Sequence, residues 1–535
     1  MAQSEEPTSE EKPQPQAQKQ GLPATQSLPA ALYSRMKSLP ASAQEAVLSR
    51  MPSLPSASGI GHGRLRELLE EELKPKERVT REESRAYGKS LRKQAPRSSH
   101  AAWEVKQDRQ HAMDLLRDQE KDRMQSLLPI RHQRMAESPF SFYRGAAIIM
   151  ADDLAHTPTT GVRVQACGDA HLANFGIFAS AERRLVFDIN DFDETLPAPW
   201  EWDVKRLVTS VEICGRHLGL SEEDRLGALR STVQGYHQAM AHFSEMGNLD
   251  VWYAHLDVAE LLREHADYLG KAEKSALVAT AQKAVKKTSS RAVARFTENV
   301  NGELRVISDP PLLVPLRDLA SFGISQETVV KVLGAYLARY RLSLPRERRS
   351  LIEQYTPQDM ARKVVGVGSV GMRAWIIVLE GAGPEDSLVL QLKEATSSVL
   401  EPYAGQSEFL DHGRRVVEGQ RAMQTAGDVL LGWARSADDK GVMRDYYVRQ
   451  LWDAKGSVDL DRMDAHELSR FGSLCAWTLA HAHARTGDRH AIAGYLGKGA
   501  TFDNALCEFA QAYADQNEAD YQLFLKTFGD AAHAG

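Results

Sequence analysis

Residues 361–381 read ARKVVGVGSVGMRAWIIVLEG, and residues 387–395 read SLVLQLKEA. Gly366, Gly368 and Gly371 give the spacing GxGxxG, which is a weak signal when it stands alone. Two structures compete for it: a glycine turn that opens a helix, and a glycine turn between two strands. The residues that follow are rich in Trp, Ile and Val and end in glycine, which is typical of a strand. The stretch therefore predicts strand, loop, strand.

Lys393 lies near the end of the next predicted strand, where a dinucleotide-binding fold would place an acidic residue. A lysine that points inward from such a strand can pair with phosphate oxygens, and it then needs a carboxylate to hold it. Glu408 and Glu418 lie on the following helical stretch, and we favour Glu418 because it is nearer the middle of the helix. The alternative is a tight hairpin with a surface lysine. The predicted nucleotide-binding residues are Gly366, Gly368, Ser369, Gly371, Lys393 and Glu418.

A dense polar cluster lies earlier in the chain, in CGDAHLAN at 167–174 and VFDINDFDE at 186–194. A turn with Asp and Asn caps would explain one or two of these polar residues but not a set of this density. The chemistry of transfer to a hydroxyl needs a carboxylate that takes the proton, and Asp169 is suited to it. It also needs an amide oxygen one short loop away to bind the metal, which Asn174 supplies.

A further Asp from the end of the next strand is expected to chelate the metal, and either Asp191 or Asp188 can be that residue. Hard oxygen ligands favour Mg²⁺ or Mn²⁺ over zinc. His171 is assigned to the catalytic loop beside Asp169, as a hydrogen-bonded brace and not as a metal ligand. His481 and His483, two positions apart on a predicted helix, are expected to be packing or surface residues.

Three arginines upstream of the cluster are expected to form salt bridges in a helical layer. Binding of an anionic acceptor or a phosphate is the alternative use of these side chains. They are Arg131, Arg134 and Arg144.

The composition is that of a globular protein with several domains: 535 residues, 42% hydrophobic and 26% charged, with a net charge of −6. This charge argues against a nucleic-acid partner. Four scattered cysteines without a CxxC pair suggest neither a zinc site nor a disulfide framework. The sequence contains no run of about 18 apolar residues, so we expect no membrane span. The first twenty residues lack the apolar core of a signal peptide. We expect a cytoplasmic protein, and we predict no oligomeric state.

Five segments are predicted along the chain. Residues 1–60 are too polar to bury a core and are expected to be disordered, and residues 61–135 to form charged peripheral helices. Residues 136–360 carry the acidic cluster and a helical insertion, residues 361–460 a strand-rich unit with the glycine loop, and residues 461–535 the C-terminal helices. The pattern predicts an α+β fold.

Four stretches within residues 136–360 have clear local patterns. SPFSFYRGAAIIMADDLA, from Ser138, has apolar residues at helical spacing and predicts one buried helix. PWEWDVKRLVTSVEICGRHLGL predicts a helix with proline at its entry, and GVRVQAC and RRLVFDIN predict strands.

These motifs resemble the protein-kinase-like superfamily, in its aminoglycoside- and choline-kinase branch. That branch carries HGDxHxxN, then an apolar strand that ends in an IDF-type Asp, then a helix with a buried Asp. GDAHLAN matches the first motif, with Cys167 in place of the family's first His. NDFDE supplies Asp191, and EWDVKRL supplies Asp203 at a spacing similar to the family's. The resemblance therefore favours Asp191 over Asp188 as the metal ligand and implies that Asp203 braces the catalytic loop.

The pattern as a whole, including FYRG, NDFDET, GQR and AHAR, resembles a bacterial family called domain of unknown function 2252, over roughly residues 125–525. The resemblance to kinases implies a two-lobe fold, with a mostly helical large lobe that residues 136–360 begin and residues 461–535 close, and a small lobe built on an antiparallel sheet at 361–460. The implied fold is circularly permuted, because the glycine loop and Lys393 follow the catalytic loop here and precede it in ordinary kinases. It implies ATP and Mg²⁺ or Mn²⁺ as cofactors.

We expect an ATP- and Mg²⁺-dependent phosphotransferase that acts on the hydroxyl of a small-molecule acceptor, which the sequence does not name. Nucleotidyl transfer, or AMPylation, is a variant in which a reversed nucleotide would donate AMP. A pseudokinase-type regulatory module would bind the nucleotide without transfer. A helical scaffold with decorative polar loops is the remaining alternative, and it predicts no stabilisation by nucleotide.

Overall fold

The structure, a computed structural model, describes residues 79–264, 281–282, 289–301, 303–318, 326–364, 366, 368–383, 385–438, 441–451 and 456–532. The tail predicted at 1–60 lies outside these residues, and so does the first part of the segment 61–135. The elements from Arg81 onward belong to one unit.

Helices are described along the whole sequence of this unit. In chain order they are α1 (Arg81–Ser90), α2 (Ala112–Glu120), α3 (Leu128–Ala136), α4 (Pro139–Gly145), α5 (Ala147–Ala155), α6 (Trp200–His217), α7 (Glu222–Glu245), α8 (Asn248–Tyr253), α9 (Val258–Glu264), α10 (Ser289–Phe296), α11 (Gln326–Ser343), α12 (Arg346–Ile352), α13 (Glu401–Ala404), α14 (His412–Met423), α15 (Ala465–Thr486), α16 (Arg489–Leu496) and α17 (Thr501–Ala532).

The described strands form antiparallel pairs. They are β1 (Arg163–Ala166), β2 (Phe175–Ala179), β3 (Leu185–Ile189), β4 (Leu196–Pro199), β5 (Leu256–Asp257), β6 (Thr297–Val300), β7 (Glu303–Val306), β8 (Leu313–Pro315), β9 (Thr356–Lys363), β10 (Ala374–Glu380), β11 (Ser387–Ala395), β12 (Gly432–Ala437), β13 (Met443–Gln450) and β14 (Gly456–Ser457). The predicted α+β class with antiparallel sheet is confirmed.

The largest sheet has six strands in the order β12-β13-β11-β10-β9-β8. The glycine cluster lies between the antiparallel strands β9 and β10, and no helix opens at it, so the strand–loop–strand prediction is correct. The boundary predicted at residue 361 falls inside β9, and β8 joins the same sheet from further upstream.

Both faces of this sheet are covered, which explains why β11 is buried along its whole length. Leu390 and its alternate neighbours pack with Tyr340 of α11 on one face, while Val389 packs with Phe296 of α10 on the other. Because side chains alternate along a strand, Lys393 points to the same face as Val389. That direction carries its amine to the acidic cluster.

The helical layer is built around α6, in which sixteen of eighteen residues are buried. Pro199 occupies its N-cap position, as expected from a proline at the helix entry. α7, α15 and α17 pack around it. α15 begins with a capping box in which Asp464 and Glu467 satisfy the first free N–H groups. No helix among the described residues is both long and apolar enough to span a bilayer.

The segment predicted as one helix from Ser138 is two helices, α4 and α5, and this corrects the prediction. The helical conformation is interrupted at Ala146, which has φ −118° and ψ 37°. Arg206 donates to the carbonyl of Tyr143 (2.7 Å) and Arg131 to that of Gly145 (2.7 Å). These arginines take carbonyls that a continuous helix would use for its own hydrogen bonds.

Candidate functional site

A cavity of about 510 Å³ lies where the acidic cluster and the glycine loop meet. The two sequence-distant stretches therefore meet at one cavity, as a shared nucleotide and metal site requires. Its lining includes Asp169, His171, Asn174, Asp191, Asp193, Glu194, Gly366, Gly368 and Ser369.

Lys393 contacts the acidic cluster directly. Its Nζ lies 3.3 Å from Oδ2 of Asp191 and also pairs with Oδ2 of Asp193. The hydroxyl of Tyr447, on the neighbouring strand β13, donates to Oδ1 of Asp193 (2.9 Å). Burial alone would lower the pKa of Lys393, but Asp191 and Asp193 outweigh burial and hold this pKa above its ordinary value. The amine is therefore charged, and it lies against the carboxylates and not on the cavity wall.

The expected pairing of Lys393 with Glu418 is replaced by this contact, which corrects the prediction. Glu418 faces Arg421 (3.7 Å) and Arg414 (3.8 Å) on the outer side of α14. Glu408, the other candidate, is exposed and precedes the helix. The side chain that α14 sends inward is Arg415, which donates to the carbonyls of residues 193, 195 and 396.

Asp169 is held by a buried arginine. Arg206 on α6 donates to Oδ1 of Asp169 through Nε (3.0 Å) and Nη2 (2.7 Å). The guanidinium of Arg206 also lies over the ring of Tyr143, 3.7 Å from its centroid. The other carboxylate oxygen of Asp169, Oδ2, lies 3.6 Å from Nε2 of His171. This arrangement fixes the carboxylate while keeping one of its oxygens at the cavity.

His171 is buried beside this carboxylate. Burial lowers the pKa of His171 to about 4, and the nearby Asp169 only partly opposes the shift. The imidazole is therefore neutral near pH 7. Its Nδ1 is buried and has no hydrogen-bond partner among the described residues.

The turn before Asp169 requires glycine. Gly168 has φ +81°, and a Cβ at this position would come within 2.4 Å of the carbonyl oxygen of Glu194. Asp203 on α6 accepts hydrogen bonds from the N–H of Cys167 (2.6 Å) and of Gly168 (2.9 Å). The carboxylate thus lies where a brace of the catalytic loop was expected.

His483 holds Asp203 in turn, which the sequence analysis missed. Its Nε2 lies 3.1 Å from Oδ2 of Asp203, and its Nδ1 lies 2.8 Å from the hydroxyl of Tyr236. His483 is buried, as the packing alternative of the prediction requires, but the prediction did not include its hydrogen bonds to Asp203 and Tyr236. His481 is buried and lies 3.0 Å from the carbonyl oxygen of Val251.

Asn174 connects the two halves of the acidic cluster. Its Nδ2 donates to the carbonyl oxygens of Asp169 and Asp191, at 3.1 Å each. Of the two aspartates considered for the metal, Asp191 lines the cavity. Asp188 does not line it: its Oδ1 accepts from the N–H of Ile189 (2.8 Å), and burial raises its pKa to about 7. The described residues contain no group of three His, Cys, Asp or Glu that could hold a metal ion by themselves.

The glycine loop is pinned from the N-terminal side of the chain. Arg123 donates to the carbonyls of Gly368 (2.8 Å) and Val370 (2.6 Å), and Arg131 also donates to that of Gly368 (2.9 Å). In a planar trans peptide the next N–H points the opposite way, so the N–H of Ser369 points away from these arginines. The loop is therefore not a free-standing hairpin.

Arg131 and Arg134, two of the arginines expected to form salt bridges, make different contacts. Arg131 is fully buried and does pair with Glu120 (3.0 Å), while it also binds the glycine loop. Arg134 donates to the carbonyl of Gly366 (3.3 Å). Gly371 lies at the far end of the loop, where its carbonyl accepts from the N–H of Met124 (2.8 Å).

No curated protein and no solved structure matches this chain. A family model does match it, over residues 123–527. The matched interval is more than half of the chain, and it includes the acidic cluster, the glycine loop, Lys393 and Arg123. The chain therefore belongs to the bacterial family described as "uncharacterized protein conserved in bacteria (DUF2252)".

Proposed function

We propose that the protein is an ATP- and Mg²⁺-dependent phosphotransferase that acts on a hydroxyl of a small-molecule acceptor. The observation that carries the proposal is the contact between Lys393 and Asp191 beside the cavity that Asp169 and the glycine loop line. A triphosphate site needs a cation for phosphate oxygens and a carboxylate for the metal within reach of each other. This pair supplies both.

Asp169 is assigned as the general base. The acceptor oxygen forms a bond to the γ-phosphorus while the bond from that phosphorus to the bridging oxygen of ADP breaks. The proton of the hydroxyl passes to Oδ2 of Asp169, since Arg206 already occupies Oδ1. Arg206 and Asp203 hold the loop in position, and His171 stays neutral beside the base.

The residues present fit a magnesium ion. Mg²⁺ binds through one or two protein oxygens together with phosphates and water, so Asn174 and Asp191 are a sufficient protein contribution. The absence of a three-residue cluster among the described residues agrees with such a shared site. When bound, the ion would offset the negative charge of the phosphates. Asp188 is not proposed as a ligand because it lies outside the cavity lining.

The proposal includes a permuted kinase-like order of parts. The catalytic-loop core comes first, the β lobe with the glycine loop follows, and the final helices complete the large lobe. Support comes from the order of β9, the glycine loop, β10 and β11 after the acidic cluster. The contact of Asp203 with the backbone of Gly168 supports it as well.

A nucleotide-binding regulatory module is the second candidate. The observation that favours it is the closed ion pair: Lys393 is engaged by Asp191 and Asp193 and does not line the cavity. A phosphate would have to displace one of these contacts to reach the amine. A module that binds a nucleotide without phosphoryl transfer would use the same residues, except for the base Asp169.

Calorimetric titration with the ATP analogue AMP-PNP and Mg²⁺ tests the proposal. The parent protein is expected to bind the analogue only when the metal is present. Asp191→Asn is expected to lose this binding, while the matched control Asp188→Asn retains it because Asp188 is not at the cavity. A parent protein that does not bind AMP-PNP with Mg²⁺ would exclude both candidates.

A further inference from the structure

Arg144, on α4, lines the cavity, and its side chain makes no hydrogen bond or ion pair among the residues that the structure describes. Its Nε is buried and without a partner. A guanidinium carries five N–H donors, and leaving buried donors unsatisfied costs free energy. Since the side chain lines the cavity and none of its donors is hydrogen-bonded within the described residues, the guanidinium is suited to bind an anion that enters the cavity.

The backbone on either side of Arg144 is fixed. The carbonyl of Tyr143 accepts from Arg206 and the carbonyl of Gly145 accepts from Arg131, at 2.7 Å in both cases. Arg144 therefore projects from the end of α4, where two buried arginines hold the neighbouring carbonyls. A fixed backbone removes part of the conformational freedom that the residue would otherwise lose when it binds a ligand.

Arg144 lies on the side of the cavity where Asp169 stands. The carboxylates that act on its charge are those of Asp169, Glu137 and Asp461. The carboxylates that act on the charge of Arg123, another arginine at the cavity, are those of Glu120, Glu194 and Asp193, and Arg123 donates to the glycine loop. The two arginines thus serve different ends of the cavity.

His171 provides a second unpartnered polar atom at the cavity. The ring is among the lining residues, and its buried Nδ1 has no hydrogen-bond partner among the described residues. A neutral imidazole can give one hydrogen bond to a ligand oxygen or accept one from a ligand hydroxyl. Arg144 and His171 flank Asp169, where the acceptor hydroxyl is assigned.

We propose that Arg144 is a specificity-determining residue that binds an anionic group, phosphate or carboxylate, carried by the acceptor. The planar fork of arginine matches both groups with two parallel hydrogen bonds. The acceptor is then a small molecule that bears a free hydroxyl and an anionic substituent. The assignment of the bound anionic group to the acceptor rests on the proposed function, whereas the anion site itself rests on Arg144 alone.

The test titrates inorganic phosphate, and separately acetate, into the full chain saturated with AMP-PNP and Mg²⁺, so that the analogue occupies the nucleotide site. Binding to Arg144→Gln is expected to be about ten- to a hundredfold weaker than to the parent. Arg117→Gln, on the neighbouring helix α2, is the control, since Arg117 is 51% exposed and does not line the cavity. Phosphate bound without acetate indicates a phosphorylated acceptor, and the reverse a carboxylated one.

Equal anion binding by the parent and Arg144→Gln overturns the inference, and so does a parent that binds neither anion. A loss of AMP-PNP binding in Arg144→Gln would assign the arginine to the nucleotide and overturn it as well. If AMP-PNP does not bind the parent but phosphate still requires Arg144, the proposed function fails and the anion site stands. An unchanged melting temperature of Arg144→Gln verifies that the variant is folded.

Discussion

The amine of Lys393 lies 3.3 Å from a carboxylate oxygen of Asp191, although 202 positions separate the two residues in the chain. The lysine comes from the six-stranded sheet and the aspartate from the loop after β3, so the contact joins two parts of the fold. Only 3% of the lysine side chain is exposed. Its charge is therefore balanced by the acidic cluster and not by solvent.

Replacement of Lys393 by methionine is expected to destabilise the protein. The variant keeps most of the side-chain volume but leaves Asp191 and Asp193 without their counter-charge. Breaking a fully buried pair costs about 3–5 kcal/mol, and we expect about 2–3 kcal/mol because 39% of the Asp191 side chain is exposed. Urea unfolding measures the change.

The double variant Lys393→Met with Asp193→Asn is the control for this prediction. It removes one of the uncompensated charges, and we expect it to be more stable than the single lysine variant. A Lys393→Met protein as stable as the parent would show that the ion pair does not contribute to folding.

The turn at Gly168 is expected to tolerate no side chain. Gly161→Ala is a matched comparison, since Gly161 has φ +80° and open space around it, whereas Gly168 has φ +81° with the carbonyl of Glu194 in the way. We expect Gly161→Ala to cost about 1–2 kcal/mol from the backbone conformation alone. Gly168→Ala should cost more, because the carbonyl must also move. Equal losses of stability in the two variants would contradict the close approach.

Helices and strands that are marked by local residue patterns could be predicted from the sequence. The glycine cluster flanked by β-branched residues indicated β9, its loop and β10, and proline marked the start of α6. The short apolar strand β2 was missed because five residues that are all buried show no alternation. The helix break at Ala146 was missed because it depends on arginines that are distant in sequence.

Side-chain partners were harder to predict than elements. The resemblance to kinases implied a position for Asp203 after Asp191, but nothing in the sequence identified the partner of Lys393. Glu418 and Arg415 lie on the same helix, and only the packing of α14 decides which of them faces the site. Arg206 gave no signal either, because nothing in the sequence distinguishes a buried arginine from the exposed ones around it.

Stability is expected to depend on pH through Asp188. Burial raises its pKa to about 7, whereas an aspartate in an unfolded chain titrates near about 3.9. Between these values the unfolded chain has released a proton that the folded protein keeps, so this group lowers the free energy of unfolding as pH rises from about 4 to 7. Asp188→Asn removes the titration.

The stability of Asp188→Asn relative to the parent should therefore increase with pH across this window, by at most about 1.4 kcal/mol per pH unit. Denaturant unfolding of both proteins at pH 4.5, 5.5 and 6.5 measures the difference. A difference that stays constant over these values would mean that Asp188 is ionised in the folded protein.

Substitution of Asp169 is expected to impair phosphoryl transfer but not nucleotide binding, whereas substitution of Asp191 is expected to abolish nucleotide binding. Asp169→Asn keeps an oxygen that accepts from Arg206 but loses the group that takes the proton, so ATP turnover to ADP should fall by about 10²- to 10⁴-fold. Binding of AMP-PNP with Mg²⁺ should be unchanged, since Asp169 is not assigned to the nucleotide. Asp191→Asn should lose that binding.

The pair of variants also distinguishes an enzyme from a regulatory module. If Asp169→Asn turns over ATP at the parent rate, Asp169 is not the base. If the parent itself binds AMP-PNP with Mg²⁺ but transfers nothing to any hydroxyl acceptor, including those with phosphate or carboxylate groups, the closed pair of Lys393 with Asp191 and Asp193 belongs to a nucleotide-binding module. The Arg206–Asp169 contact would then hold the loop without supporting transfer.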